Sequence, residues 1–200
     1  MLRGVVAVAT IGMAAACSRG QGPADAGRAA APEAPWTTLF DGTSLAAWTT
    51  TGDANWQLSD GVVTADMGVG FLVTRESYGD FELEVEFFVS PDANSGVFLR
   101  CANPAKPGAA TCYEVNIFDQ RKDPTYRTGA IVNVAKPSVQ MDAGNRWNAY
   151  HIEAHGRHLV VKLNGQTTVD VEDDKLATGP IGLQYAAGQV KIRSVRIRAH

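Results

Sequence analysis

The sequence predicts an all-β domain made of many short antiparallel strands. Between residues 36 and 200, hydrophobic and polar residues alternate in short runs, as they do in strands that bury one face. Turns rich in Gly, Asn, Asp and Pro separate these runs, and helix-type periodicity is almost absent. Many short strands with regular turn signals indicate a β-sandwich or a β-barrel.

Residues 1–16 have the pattern of a signal peptide. Arg3 is followed by an apolar run too short to span a membrane, and small residues immediately precede Cys17. This junction resembles the bacterial lipoprotein cleavage site, although Ala14 stands where Leu is usual. The resemblance implies cleavage before Cys17, diacylglycerol on its sulfur, and an exported protein anchored to a membrane of the periplasm or cell envelope. The alternative is an ordinary signal peptide cut after an Ala-x-Ala sequence.

The rest of the chain divides into a tether and one domain. Residues 17–35 contain mainly Gly, Ala, Pro and small polar residues, a composition typical of flexible linkers. Residues 36–200 suffice for one domain with a sizeable core. The formal net charge is −3 and no basic stripe is present, which argues against nucleic-acid binding. Rossmann, P-loop and HExxH motifs are absent from the sequence.

The first half of the domain consists of predicted strands and hairpins. WTTLF and LAAWT flank the turn DGTS, and WQLSDGVVTAD is a predicted hairpin around Ser59–Gly61. GFLVT is a short apolar strand. In residues 81–89, apolar residues alternate with Glu82, Glu84 and Glu86, which predicts one buried and one solvated face.

The last third of the domain contains a hairpin and a long final strand. Residues 147–155 and 158–163 form the hairpin, and Asn164-Gly165 then gives the strongest turn signal of the chain. In residues 190–199 the apolar positions change parity, so a β-bulge near Ser194 would return them to one face. A solvated face is expected for the cations of this strand, Lys191, Arg193, Arg196 and Arg198.

Two predicted strands in the middle of the domain, 97–101 and 113–118, carry polar residues opposite the core. Strand alternation places on this polar face Phe98, Arg100, Glu114, Asn116 and Phe118. Polar groups of defined hydrogen-bonding geometry between aromatic rings indicate a binding surface. The alternative is a cross-strand ion pair of Arg100 with Glu114, which would contribute ~0.2–1 kcal/mol if exposed.

Cys101 and Cys112 lie at the end of one predicted strand and the start of the next. In an oxidising compartment, two cysteines that close a short loop most simply form a disulfide. Such a bond would contribute on the order of 3 kcal/mol in the chain-entropy description. A metal site and two free buried thiols are the alternatives.

An ordered set of motifs resembles the 3-keto-disaccharide hydrolase domain family. The motifs are LFDGTSLAAW, NSGVFLR, YEVNIFD, RTGAI, RWNAYHIEAHG, VKLNG, GPIGLQ and VKIRSVRI, and they cover roughly residues 36–198. The resemblance implies a concanavalin A-like jelly roll of two curved antiparallel sheets. It also implies a small carbohydrate substrate, a glucoside whose C3 hydroxyl has been oxidised to a ketone.

A C3 ketone acidifies the C2 proton, so a base can remove that proton and the C1 oxygen can leave by β-elimination. Glu114 is the predicted base and Arg100 the predicted cation that stabilises the enolate. The residues predicted to bind the sugar are Asn116, Gln184, Phe98, Phe118 and Tyr185.

The spacing of Glu114, Asn116 and Asp119 also resembles the acidic pattern of family-sixteen glucanases. A retaining mechanism needs two carboxyl groups ~5–5.5 Å apart. Glu114 and Asp119, the third predicted catalytic residue, would meet this distance only if the strand bulges at Ile117 or Phe118. Conventional glycoside hydrolysis is therefore an alternative.

Many family members have a His shortly after the GLQ motif, whereas this chain has Tyr185, Ala186 and Ala187. A role for that His would make this protein altered or inactive, which leaves a non-catalytic carbohydrate-binding module as a further alternative. No cofactor is certain, and a divalent metal is possible. The surface or a sheet edge is expected for the histidines, His151, His155, His158 and His200.

Overall fold

The computed structural model of the chain describes residues 1, 2, 4, 7 and 34–200. Cys17, with its predicted lipid, lies outside the described residues, as do most of the predicted signal peptide and tether. Within the described residues, no helix combines the length and apolar character needed to cross a membrane.

Period-two alternation forms strands throughout the described domain. The strands are β1 (Thr37–Phe40), β2 (Trp48–Gly52), β3 (Gln57–Ser59), β4 (Val62–Ala65), β5 (Gly70–Thr74), β6 (Phe81–Val89), β7 (Asn94–Leu99), β8 (Tyr113–Ile117), β9 (Arg146–His155), β10 (His158–Leu163), β11 (Gln166–Glu172), β12 (Gly182–Ala187) and β13 (Val190–Ala199). One 3-10 turn, Pro124–Tyr126, lies between β8 and β9.

The strands form two sheets, and all strand pairs within them are antiparallel. The eight-stranded sheet has the order β11-β10-β9-β6-β13-β4-β3, and β1 also pairs with β13. The five-stranded sheet has the order β2-β5-β12-β7-β8. The core contains buried side chains from both sheets, as in a sandwich. The predicted all-β jelly-roll class is confirmed.

Turn and bulge chemistry follow the predictions. Asp60 and Gly61 have φ of 52° and 76°, and Asn164 and Gly165 have φ of 51° and 82°. These left-handed values match the type I′ turns that favour Asn-Gly and Asp-Gly. The register of β13 against β6 shifts between Ile192 and Ser194, so the predicted bulge is confirmed. Because of the shift, the apolar residues before and after it are all buried.

The outer face of the eight-stranded sheet is a charged surface, as the alternation in β6 predicts. Glutamates of β6 pair with arginines of β13 in three rows, Glu82 with Arg198, Glu84 with Arg196 and Glu86 with Arg193. Pairs of this kind contribute ~0–1 kcal/mol each when they are exposed. The rows of Glu84 and Glu86 are solvated as predicted, whereas the side chains of Glu82 and Arg198 are only 15% and 14% exposed.

Candidate functional site

The outer face of the five-stranded sheet brings several predicted site residues together. Gln184 on β12 lies opposite Gly96 on β7, which lies opposite Asn116 on β8. In the neighbouring row, Phe98 of β7 lies opposite Glu114 of β8. Side chains at directly opposite positions share one face of a sheet. Glu114, Asn116, Gln184 and Phe98 therefore share the outer face.

Two glycines allow the aromatic ring of Phe98 to lie close to this face. A Cβ atom on Gly96 would come within 3.1 Å of Cε2 of Phe98 and within 3.4 Å of Cγ of Glu114. A Cβ atom on Gly182 would come within 3.2 Å of Cβ of Phe98. Phe71 packs edge-on against Phe98, with ring centroids 5.1 Å apart. The glycines thus give Glu114 an apolar floor.

Glu114 is the half-buried carboxylate of this face. Burial raises the pKa of Glu114 above its ordinary value, and the positive charge of Arg121 opposes this rise. Desolvation disfavours the ionised form of a carboxyl group, so its proton affinity increases. A carboxylate of raised pKa is suited to proton transfer near neutral pH.

Two amide oxygens on the same face lack hydrogen-bond partners within the described part of the chain. Oδ1 of Asn116 and Oε1 of Gln184 are both buried and unsatisfied. The Asn116 side chain is held in place, because its Nδ2 donates to the carbonyl of Tyr126 at 2.5 Å. Buried acceptors without partners are uncommon in folded proteins. Both oxygens are enclosed by protein, and Asn116 is fully buried, whereas the Gln184 side chain as a whole is half-buried.

The loop after β8 supplies a cation that the strand pattern does not identify. Arg121 is half-buried and its charge acts on Glu114. Its guanidinium carbon lies 6.0 Å from the ring centroid of Tyr126, and its carbonyl accepts a hydrogen bond from Nε of Arg127. The basic and aromatic sequence RKDPTYR is the only sequence signal for this arrangement.

A disulfide-closed loop lies beside the other end of the face. Cys101 and Cys112 form a disulfide, so that prediction is confirmed. The enclosed loop contacts β2 through a 3.3 Å hydrogen bond from Thr51 to the carbonyl of Ala105. A surface cavity of about 190 Å³ lies here, lined by Thr51, Gly52, Val69, Gly70, Phe71, Ala105, Lys106 and Pro107.

Tyr150 of the opposite sheet supports the site from below. Its side chain extends across the core. The hydroxyl donates to the carbonyl of Asn116 at 2.7 Å and accepts from the amide of Gly129 at 3.0 Å. Thr168 donates to the carbonyl of Gly129 at 2.8 Å. The eight-stranded sheet therefore fixes both β8 and the segment that runs along its edge.

Arg100 does not lie on the outer face, so its predicted position beside Glu114 is wrong. β7 ends at Leu99, and Arg100 has a φ of 50°, a left-handed conformation that turns its side chain away from that face. The guanidinium is fully buried and forms an ion pair with Asp80 at 3.2 Å. The alternative ion pair with Glu114 is therefore not formed either.

The buried guanidinium of Arg100 joins the two sheets at one end of the sandwich. It donates to the carbonyls of Gly79, Gly156 and Leu176 at 2.9, 2.7 and 3.1 Å. These carbonyls precede β6, connect β9 to β10 and follow β11, respectively. The role of Arg100 is structural.

Asp119, the third predicted catalytic residue, holds the loops that follow β8. Its carboxylate accepts hydrogen bonds from the Thr128 hydroxyl at 2.5 Å and from the amides of Ala143 and Gly144 at 2.9–3.0 Å. β8 ends at Ile117, and Asp119 anchors the loops beyond it. It also lines a surface cavity of about 320 Å³.

Three aromatic residues differ in their access to a ligand. Tyr185 is buried in the core and donates to the carbonyl of Gly188 at 3.0 Å, so its predicted contact with substrate is wrong. Tyr185 and Gln184 are consecutive residues of β12, so their side chains point to opposite faces of the sheet. Phe98 lies on the correct face but is fully buried beneath Phe71 and the disulfide. Phe118 follows the end of β8 and is half-buried.

The sequence of residues 35–198 matches the family profile described as the 3-keto-alpha-glucoside-1,2-lyase-like domain. The chain belongs to this family. A search of curated protein sequences finds no match.

Solved structures share the fold of this lyase-like domain. Two proteins of Parabacteroides distasonis, both named as glycosyl hydrolases, have TM-scores of 0.74 and 0.70 at 19% and 24% identity. They cover 82% and 83% of this chain, which in turn covers 94% and 100% of theirs. A carbohydrate-binding module from Bacillus subtilis has a TM-score of 0.58 at 17% identity, over 82% of this chain and 96% of its own.

Proposed function

We propose that the domain cleaves 3-keto-glucosides by elimination across C1 and C2 of the sugar. The observation that carries the proposal is Glu114, a half-buried carboxylate of raised pKa beside the ring of Phe98, in the row next to that of Asn116 and Gln184. Membership of the lyase-like family supports the substrate class. The named activities of the structural relatives are consistent with a carbohydrate ligand.

In the proposed reaction, the carboxylate of Glu114 takes the C2 proton, which the neighbouring C3 ketone has acidified. The electron pair of the C2–H bond forms the enolate and then the C1=C2 double bond. The C1–O bond breaks with its electron pair on the glycosidic oxygen, which takes a proton from water as it leaves. Water can then add across the double bond, with hydroxyl at C1 and hydrogen at C2, which gives the free 3-keto sugar.

The other residues of the face orient the sugar and stabilise charge. The half-buried amide of Gln184 is the group of this row that contacts sugar hydroxyls, whereas the fully buried Asn116 holds the loop at Tyr126 in position. Arg121 takes the place first assigned to Arg100, because it is the cation whose charge acts on Glu114. A positive charge near the enolate oxygen stabilises the transition state more than the ground state.

Deuterium incorporation tests the proton transfer directly. Purified domain is incubated in D₂O with a chromogenic 3-keto-glucoside, and the products are followed by NMR and by absorbance. We expect an enone product or a 3-keto sugar that carries deuterium at C2. Enzyme-dependent formation of the 3-keto sugar without deuterium at C2 would contradict elimination.

Matched variants separate the base from other carboxylates. Glu114→Gln is expected to reduce kcat at least about 10²-fold, the usual contribution of a general base. Glu86→Gln is the control, because Glu86 pairs with Arg193 on the outer face of the other sheet. Equal activity of Glu114→Gln and wild type would refute the assignment of the base.

A carbohydrate-binding module is the second candidate. The observation in its favour is that the two predicted partners of Glu114, Arg100 and Asp119, are committed to structural hydrogen bonds. The same observation counts against a two-carboxylate glucanase mechanism. Micromolar binding of 3-keto-glucosides without turnover, lost in Gln184→Ala, would favour the module.

We also propose that the protein is exported and anchored through a lipid on Cys17. The disulfide of Cys101 and Cys112 supports export, because such bonds persist in oxidising compartments. Mass spectrometry of the amino terminus and detergent partitioning of wild type and Cys17→Ser test the anchor. Recovery of wild type in the aqueous phase, with an unmodified amino terminus, would exclude it.

A further inference from the structure

Three metal-binding side chains meet on the eight-stranded sheet, away from the sheet that carries Glu114. Glu82, His155 and His200 each offer one ligand atom, and these atoms lie within 4.8 Å of one another. Among the described residues, this is the group of His, Cys, Asp and Glu side chains close enough to hold an ion.

Strand pairing brings the two histidines together from opposite sides of β6. Phe81, at the start of β6, pairs with Ala154 of β9 on one side and with Ala199 of β13 on the other. His155 directly follows Ala154, and His200 directly follows Ala199. The backbone of His200 is fixed as well, because its amide donates to the carbonyl of Asp80. Glu82 and His155 are therefore positioned by the sheet, and His200, one residue beyond β13, is positioned by its bond to Asp80.

One donor–donor distance matches that of a tetrahedral ion, and the other two are within 4.8 Å. Nε2 of His200 lies 3.5 Å from Oε1 of Glu82. Zinc–ligand distances of ~2.0–2.1 Å imply neighbouring donors about 3.3–3.5 Å apart in a tetrahedron. The rings of His155 and His200 have centroids 4.9 Å apart and planes inclined by 54°. Small rotations of these partly exposed side chains would complete the geometry.

Arg198 orients the carboxylate ligand. Its Nη2 atom contacts Oε1 and Oε2 of Glu82 at 2.7 and 2.6 Å. Each carboxylate oxygen has a second lone pair for a metal, so Glu82 can bind an ion and keep this contact. Hydrogen bonds of this kind hold ligands in position in many metal sites. The guanidinium charge also neutralises the carboxylate, so affinity depends mainly on the two imidazoles.

We propose that Glu82, His155 and His200 bind a divalent transition-metal ion of the Zn²⁺ class, with one coordination position open. Two imidazoles and one carboxylate suit Zn²⁺, Cu²⁺ or Ni²⁺, whereas Ca²⁺ takes six to eight oxygen ligands. The ion would join β6, β9 and β13 at one end. The proposal is independent of the chemistry assigned to Glu114.

Calorimetry and metal analysis test the site on protein without a histidine tag, freed of metal with a chelator. We expect wild type to bind one equivalent of Zn²⁺, and its Tm to rise with Zn²⁺ concentration. Ca²⁺ should have neither effect. His155→Ala and His200→Ala should each weaken Zn²⁺ binding at least about 10-fold. Bound Co²⁺ should give the visible absorption of a four-coordinate ion.

His158→Ala is the matched control. His158 is the register partner of His155, but its Nε2 is bonded to Asp170 at 2.7 Å. We expect Zn²⁺ binding to be unchanged in this variant. Circular dichroism and the metal-free Tm establish that every variant is folded, and His155→Gln replaces His155→Ala if the latter unfolds. Failure of wild type to bind Zn²⁺, full binding by His200→Ala, or loss in His158→Ala would each overturn the proposal.

Discussion

Replacing Arg100 with methionine should lower the free energy of unfolding by about 3 kcal/mol, because three partly buried carbonyl oxygens lose their hydrogen-bond donor. Methionine retains an apolar side chain of similar length, so the loss of packing is small. The variant also keeps the cost of the left-handed backbone, because methionine and arginine both carry a Cβ atom at a φ of 50°. The variant therefore differs from wild type mainly in lacking the guanidinium group.

The magnitude follows from the acceptors that this change leaves without a donor. The guanidinium donates to three carbonyl oxygens, at 2.9, 2.7 and 3.1 Å. An acceptor left unsatisfied costs ~1–3 kcal/mol when it is buried, and because these three bonds are only partly buried, the lower end of about 1 kcal/mol each applies. The fourth contact, to Asp80, adds little because the side chain of Asp80 is 47% exposed.

Guanidinium chloride unfolding, followed by tryptophan fluorescence, measures the effect through the midpoint at constant m value. Asp80→Asn is the control and should lie within about 1 kcal/mol of wild type. If Arg100→Met retained wild-type stability but lost turnover of a 3-keto-glucoside, the guanidinium would act on substrate. The structural role described above would then be refuted.

Three further predictions concern the site and its support. The raised pKa of Glu114 means that the folded state binds this proton more tightly than the unfolded state, so stability falls as pH rises from the ordinary Glu pKa through the folded pKa. In urea unfolding, Glu114→Gln should therefore be more stable than wild type at pH 8 and equal to it below about pH 4. A difference in stability that does not change with pH would contradict this. Replacing Cys101 and Cys112 with serine should lower the free energy of unfolding by about 3 kcal/mol, since the disulfide closes a loop with a sequence separation of 11. Unfolding of wild type with and without reductant checks this value. Reductant should not affect the serine variant. Tyr150→Phe should lower the free energy of unfolding by about 2 kcal/mol and weaken substrate binding, because it removes two buried hydrogen bonds that hold β8. An unchanged KM with reduced stability would show that β8 keeps its position without these bonds.

Alternation and turn chemistry were sufficient to predict most strands. The parity change in β13 predicted the bulge near Ser194, and Asn164-Gly165 predicted its hairpin, because both depend on neighbours along the chain. The placement of Glu114 and Asn116 on one face follows from the same period of two.

Three site residues depend on information that alternation does not contain. Arg100 occupies the position after the last strand residue, where a single left-handed φ reverses its direction. The bonds of Asp119 go to amides 24 and 25 residues away, and only the folded loops bring these groups together. Arg121 approaches Glu114 through an irregular loop, whose path no period describes.

Gly96 and Gly182 leave room for the Phe98 ring beside Glu114, and so contribute to the burial that raises the pKa of Glu114. Gly96 leaves the ring of Phe98 only 3.1 Å from the position of a Cβ atom, and Glu114 lies beside that ring. An alanine at 96 would lift the ring, admit water to the carboxylate and move its proton affinity back toward that of an ordinary glutamate. We therefore expect Gly96→Ala to lower the pKa of Glu114, although β7 itself carries no titratable side chain.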